Sequence, residues 1–143
     1  MGNLHNAVCS QTPLVVTAGQ QDLRHSITDP LLLGDLVSMG KIFSKWSKEV
    51  TSVDQLPILV RRAFHDADAA PTGPVFLSLP MDVMEAMSSV DIGAPSTVDR
   101  KAVAGSLPLF AKKLAALTPG QVALLAGDEI HQSGPAAAAV ALA

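Results

Sequence analysis

Gly73-Pro74-Val75-Phe76-Leu77-Ser78-Leu79-Pro80 holds a short, almost unbroken apolar run between two prolines. Such a run is expected of a strand buried on both faces, the kind found in a parallel sheet, with Pro80 stopping it. Immediately upstream, Leu56, Leu59, Val60, Ala63, Phe64 and Ala67 recur at intervals of three and four, which predicts a helix with one apolar stripe. Arg61, Arg62, Asp66 and Asp68 fall largely off that stripe. Ser52 and Gln55 have the spacing of a capping box, but Pro57 lacks an N–H, which argues for Asp54 as the cap and Pro57 inside the first turn.

Farther upstream, Leu14 to Ala18 is a second short β-branched run, ending at Gly19, and is also expected to be buried on both faces. Gln20, Gln21 and Asp22 then follow at its C-terminal end. Asp29-Pro30 reads as a turn or helix start, with a short helix expected through Leu31, Leu32, Leu33, Leu36 and Val37 to about Gly40. Ile42 to Val50 alternates imperfectly and predicts an extended segment. Leu4, Ala7 and Val8 lie at helical spacing with no capping residue before them, so the chain is expected to begin inside a helix.

Downstream of Pro80 the pattern dissolves into Met, Ser, Asp, Gly and Pro, and a domain boundary is expected near residue 90. Val103, Leu107, Phe110, Leu114 and Leu117 predict a helix, kinked or delayed by Pro108. Val122 to Ala126 predicts a third buried strand, and Gly134-Pro135 starts a helix that runs to Ala143 without a stop signal. The alternation is that of an α/β protein, a parallel sheet flanked by helices.

Composition excludes several classes. The 143 residues carry ten basic and thirteen acidic side chains, and 48% of residues are hydrophobic. No basic run offers a footprint for a phosphate backbone, so nucleic-acid partners are not expected. No apolar stretch approaches the roughly 20 residues of a membrane helix, and no export signal is evident, so a membrane association is not expected either. Cys9 is the single cysteine, which suits a reducing cytoplasmic compartment. Only 3% of residues are aromatic, so the core must be built from Val, Leu, Ile and Ala.

Local motifs carry little chemistry. His5 and Cys9, four apart on a helix, could share a face, but no second cluster supplies further metal ligands. His25, His65 and His131 are scattered and have the look of surface histidines. Neither G-x-G-x-x-G nor G-x-x-x-x-G-K-[ST] occurs, which disfavours a generic Rossmann-type flavin or nucleotide binder. Asp128 and Glu129 follow the third expected strand, where open α/β sheets bind ligands, yet suit a solvated loop equally. Arg62 and Asp66, four apart, suit a solvated ion pair.

A longer pattern says more. Gly2-Asn3-Leu4-His5-Asn6-Ala7 followed by Thr12-Pro13-Leu14-Val15-Val16-Thr17-Ala18-Gly19-Gln20-Gln21 resembles the pyrimidine-binding domain of thiamine-diphosphate-dependent enzymes. Lys45-Trp46, Arg62-Ala63-Phe64 and Gly73 to Pro80 with Asp82 follow in the same family's order. The Thr-Ala-Gly-Gln-Gln and Lys-Trp-Ser strings look most like the benzoylformate decarboxylase branch. The resemblance implies that residues 1–85 are the C-terminal half of that domain, 86–98 a linker, and 99–143 the start of the family's middle domain.

It also implies a parent enzyme that uses thiamine diphosphate and Mg²⁺ on an aromatic or aliphatic 2-oxo acid, as a homo-oligomer. The cofactor is the electron sink, and the family activates it with a glutamate upstream of the matched region. Glu49, the first glutamate here, comes far past that position. The Mg²⁺-binding Gly-Asp-Gly and Asn motif of the family is likewise missing. No catalytic or metal-binding residue is therefore assigned, and the chain alone is expected to bind no cofactor tightly and to be inactive.

What the resemblance leaves is a patch of pocket wall. Leu32 falls where the family lines its cofactor, and Leu31 and Leu32 where it lines the substrate's side chain; Gln20 and Gln21, by their place at the strand end, are candidate polar substrate-binding residues. The leucines at 31 to 33 suit core packing as well. An acetolactate synthase-like or benzaldehyde lyase-like carboligase, or a non-catalytic assembly module with exposed apolar surface, is the alternative.

Overall fold

A computed structural model describes residues 2–99, 103–118 and 120–142, apart from the side chain of Gln132. The chain divides into two compact units, Met1–Val98 and Asp99–Ala143.

The first unit is a three-stranded parallel sheet with helices packed on it. Its elements run α1 (Gly2–Cys9), β1 (Leu14–Gln20), a 3-10 turn (Leu23–Thr28), α2 (Leu36–Lys41) and β2 (Ser47–Glu49). A second 3-10 turn (Val53–Gln55), α3 (Leu56–Asp68), β3 (Pro74–Pro80) and α4 (Met81–Glu85) complete it. The strand order is β1-β3-β2, so the last strand is inserted between the first two. Val16 and Ser47 both register with Phe76, and Ala18 and Glu49 both with Ser78. All three strands therefore finish at the same end of the sheet.

Pleat alternation decides which helix meets which side of β3. Val75 and Leu77 face α3, forming the core with Val50, Leu59, Ala63, Ala67 and Val83. Phe76 and Ser78 point the other way, toward the face where α2 lies against β2 and β3. There Gly40 lies so close to Phe76 that a Cβ would stand 2.6 Å from its ring. The helix and strand approach at a distance only glycine permits.

The central strand is buried on both faces, as its run of apolar residues requires. The first strand is not: Leu14, Thr17 and Gly19 are exposed and Val15 and Val16 half-buried. It pairs with β3 alone, an edge position with its other ladder edge free among the described residues, and so lacks the two-sided cover expected of it.

Other expectations shift for local reasons. The helix expected from about Pro30 starts only at Leu36, because the Asp35 side chain accepts the Ser38 N–H and so caps it there, leaving 31–35 as turn and loop. The extended segment shrinks to Ser47–Glu49, since Ile42 to Lys45 continue the turn out of α2. Ser52, not Asp54, caps the turn into α3 by accepting the Asp54 N–H, while Pro57 does sit in the first turn. The Asp54 carboxylate instead accepts a hydrogen bond from the Ser88 hydroxyl at 2.6 Å. Residues 86–98 carry no helix or strand.

The second unit contains α5 (Leu107–Ala115), α6 (Asp128–Ser133) and α7 (Ala136–Leu142). Pro108 occupies the first turn of α5, where its missing N–H costs nothing. The strand expected at Val122 to Ala126 is absent, and these residues are irregular. No other extended segment lies among the described residues of this unit, and a lone strand would leave its backbone groups without a ladder. What the sequence implied for Met1 and Ala143 lies outside the described residues.

Candidate functional site

Open parallel sheets bind ligands beyond the C-terminal ends of their strands, where loops diverge and backbone groups are unpaired. In this chain that end is closed by a polar network. Glu49, the last residue of β2, accepts the Ser78 hydroxyl of β3 at 3.0 Å and a Gln20 Nε2–H of β1 at 3.4 Å. Ser78 has no solvent exposure, so its hydroxyl requires such a partner. Gln20 is only 7% exposed although it ends an edge strand.

The Gln20 side chain is fully engaged. Its Nε2 also donates to the Gly34 carbonyl at 2.6 Å, and its Oε1 accepts the Gln21 N–H at 2.9 Å and the Gly34 N–H at 3.4 Å. One buried amide thus pairs with both backbone groups of a glycine fourteen residues on. Gln21, beside it, is half-buried.

A second anchorage stands next to the first. Asp82 in α4 accepts the Leu23 N–H at 3.0 Å, which ties the start of the 3-10 turn to the end of β3. Buried Asp22 accepts the Arg24 backbone N–H at 2.8 Å and pairs with the Arg24 guanidinium. Hydrogen bonding from Arg24 outweighs the opposing effect of burial and lowers the Asp22 carboxyl from its ordinary 3.8 to about 2. Between the two anchorages, the loop carries Ile27, Leu31 and Leu32 outward, the last two 96% and 77% exposed. They take no part in the core, which settles against the packing role that leucines at 31 and 32 could have had; Leu33 is half-buried.

The remaining candidates stand apart from this end of the sheet. His5 Nε2 and Cys9 Sγ are 3.6 Å apart on exposed α1, where the His5 ring meets Phe43 edge-on. His65 bonds to Asp66, which also accepts from Trp46 Nε1 at 2.9 Å and Arg62 Nε at 3.0 Å. His65 first, and then Arg62 and Trp46, hold the Asp66 carboxyl below its usual range. Arg62 also lies over the Trp46 ring at 5.2 Å, so this cluster ties α3 to the approach to β2. Asp128 and Glu129 open α6 and so do not follow a strand. His25 and His131 are exposed.

Sequence reasoning had no signal for the partnership of Gln20, Glu49 and Ser78, which are 29 residues apart at each step to Glu49 and meet only through strand register.

Comparison with known proteins finds relatives that match part of the chain. The chain is 39% identical over 84 residues to a benzoylformate decarboxylase of Pseudomonas aeruginosa, a match covering 57% of this chain and 16% of that protein. It is 32% identical over 98 residues to the mitochondrial acetolactate synthase catalytic subunit of Saccharomyces cerevisiae, covering 68% and 14%. The crystal structure of benzoylformate decarboxylase from Polynucleobacter necessarius superposes with a TM-score of 0.68 at 34% identity, over 81% of this chain and 22% of that one. This chain is related to a segment of the thiamine-diphosphate-dependent enzymes. A Mycobacterium smegmatis protein described as a thiamin diphosphate-dependent enzyme superposes similarly, with a TM-score of 0.67 at 34% identity, over 80% of this chain and 22% of that one. No family model matches the chain. The chain spans about a seventh of the yeast acetolactate synthase subunit's length, so these relatives extend well beyond it.

Proposed function

We propose that this chain forms part of a thiamine-diphosphate-dependent 2-oxo acid decarboxylase of the benzoylformate decarboxylase type, and supplies a section of its apolar pocket wall. The observation that carries the reading is the pair of exposed leucines, Leu31 and Leu32, on a loop tethered across the C-terminal ends of a parallel sheet. Apolar side chains held out from the core at a sheet's ligand-binding end suit an aromatic or aliphatic 2-oxo acid substituent. Leu31 and Leu32 meet substrate, Leu32 also meets the cofactor's organic ring, and Gln21 lies within the same margin. Residues 1–85, 86–98 and 99–143 then correspond to half of a pyrimidine-binding domain, a linker and the opening of a middle domain.

Thiamine diphosphate supplies the electron sink when it is bound in such an enzyme. The described residues fit its apolar part better than its charged part. They include no group of three or more His, Cys, Asp or Glu side chains placed to hold a metal ion. In this reading Mg²⁺ and the diphosphate are held by other parts of a cytoplasmic homo-oligomer. No helix among the described residues is long and apolar enough to cross a membrane.

Calorimetric titration of the 143-residue chain with thiamine diphosphate and Mg²⁺ should show no tight binding, and submicromolar affinity would overturn the division of labour. An enzyme containing this segment should turn over benzoylformate faster than pyruvate. The reverse preference would favour the carboligase reading, which the acetolactate synthase relatives support.

A further inference from the structure

We propose that Gln20 is a positioning residue: its buried amide clamps both backbone groups of Gly34 and thereby sets where Leu31 and Leu32 stand. The significance for substrate rests on the pocket reading above, whereas the clamp itself is a matter of geometry. Four contacts converge on this one side chain, to the Gly34 carbonyl and N–H, the Gln21 N–H and the Glu49 carboxylate. With both N–H donors of its nitrogen and both lone pairs of its oxygen so used, and with 7% exposure, Gln20 acts on a ligand through the loop and not by touching it.

The arrangement is directional. Glu49 is an acceptor, so it presents the Gln20 amide with its nitrogen toward the carboxylate and leaves that nitrogen's second hydrogen for the Gly34 carbonyl. Ser78, donating to the same Glu49 oxygen, fixes that carboxylate from behind. Little else holds the loop between Pro30 and Asp35, where the Leu33 N–H reaches the Pro30 carbonyl at 2.8 Å and the Leu36 N–H reaches the Gly34 carbonyl at 2.9 Å. Leu31 and Leu32, being exposed, contribute no packing that could substitute for the clamp.

Amide hydrogen exchange on the full 143-residue chain tests this without any cofactor or substrate present. In Gln20→Leu, the Leu33, Gly34 and Leu36 amides should exchange about 10-fold faster or more, while Val75 and Leu77 in β3 keep their wild-type rates. Gln20→Glu should release the loop similarly, because a carboxylate cannot donate to the Gly34 carbonyl. The double variant Gln20→Glu with Glu49→Gln restores a donor and acceptor pair between those two positions, so its denaturation midpoint should recover toward wild type while the loop stays fast. Unchanged loop exchange in the single variants, equal acceleration of the loop and β3, or recovery of loop protection in the double variant would each overturn the clamp. Failure of the pocket reading would instead appear as wild-type turnover in an enzyme whose Leu31 and Leu32 had been replaced, with the exchange result intact.

Discussion

Gly40→Ala is expected to destabilise the first unit, although helix propensity alone predicts the opposite. Within a helix, alanine is favoured over glycine by about 1 kcal/mol. Against that, the new Cβ would stand 2.6 Å from both Cγ and Cδ1 of Phe76 and 2.9 Å from Ser47 Oγ. Carbon atoms pack at about 3.5–4.0 Å, so roughly an ångström of overlap must be relieved by moving the ring or lifting α2. Phe76 cannot retreat easily, because it is buried on the central strand and its backbone is laddered on both sides. Ser47 Oγ is already buried without a hydrogen-bond partner, so the added methyl cannot displace it toward a better one at no cost.

Overpacking of this kind typically costs about 1–3 kcal/mol, and the short helix keeps only part of the propensity gain at its last turn, so the net loss should be about 1–2 kcal/mol. Urea denaturation followed by circular dichroism should show a lower midpoint with an unchanged slope. Phe76→Leu in the Gly40→Ala background should cost less than Phe76→Leu in the wild type, since it removes part of the obstructing ring. A Gly40→Ala chain as stable as wild type or more so would refute the close-approach argument.

Leu77→Ala should cost about 2–5 kcal/mol by the same denaturation assay, because the side chain is fully buried in the α3-facing core and leaves a cavity. Ser78→Ala should cost about 1 kcal/mol, the worth of one hydrogen bond to a charged acceptor less the benefit of burying a methyl, with its midpoint shift compared against Glu49→Gln. Asp22, whose pKa is depressed on folding, should contribute stability that is intact above about 3.8 and is lost as pH falls through about 2. An acid titration of wild type against Asp22→Asn should show the two curves converging over that window, with the variant lower on its neutral side. Replacing Leu31 and Leu32 with serine should leave the denaturation midpoint within about 0.5 kcal/mol of wild type, because both side chains are exposed, while lowering turnover of an aromatic 2-oxo acid in an enzyme carrying this segment.

The sheet and its main helix were legible because their signals are local. Val75 to Leu79 and Leu56 to Ala67 display their burial in residue order, as a continuous run and a helical stripe, except that Phe64, expected on the stripe, is exposed while Leu59, Ala63 and Ala67 are buried. Misjudged elements depended on a neighbour. Whether Leu14 to Ala18 is covered on both faces is a property of its place at a sheet edge, not of its composition. Val122 to Ala126 has a strand's composition but no described neighbour to pair with. The start of α2 turned on a single Asp35 cap, which the apolar run from Leu31 onward outweighed on sequence alone. At the site, the glutamines could be placed at a strand end and the leucines through the family resemblance, yet nothing in their order distinguished exposed side chains from a buried one.

That distinction has a physical basis which extends to the loop as a whole. Apolar burial is non-directional and roughly proportional to area, so it can collapse a segment onto a core but cannot hold two leucines away from one. Leu31 and Leu32 remain outside the core because their ends are tied by hydrogen bonds with fixed geometry: the Gln20 amide at Gly34 on one side, and Asp82 at the Leu23 N–H on the other. Each tie uses a group whose partner is itself fixed, Gln20 by Glu49 and Ser78, and Asp82 by the helix that begins directly after β3. Stability and loop placement therefore reside in different residues. Core substitutions such as Leu77→Ala should lower the melting point without moving the leucines in molecules that remain folded, and Gln20→Leu, which brings no second carboxylate beside Glu49, should move the leucines at little cost to the core.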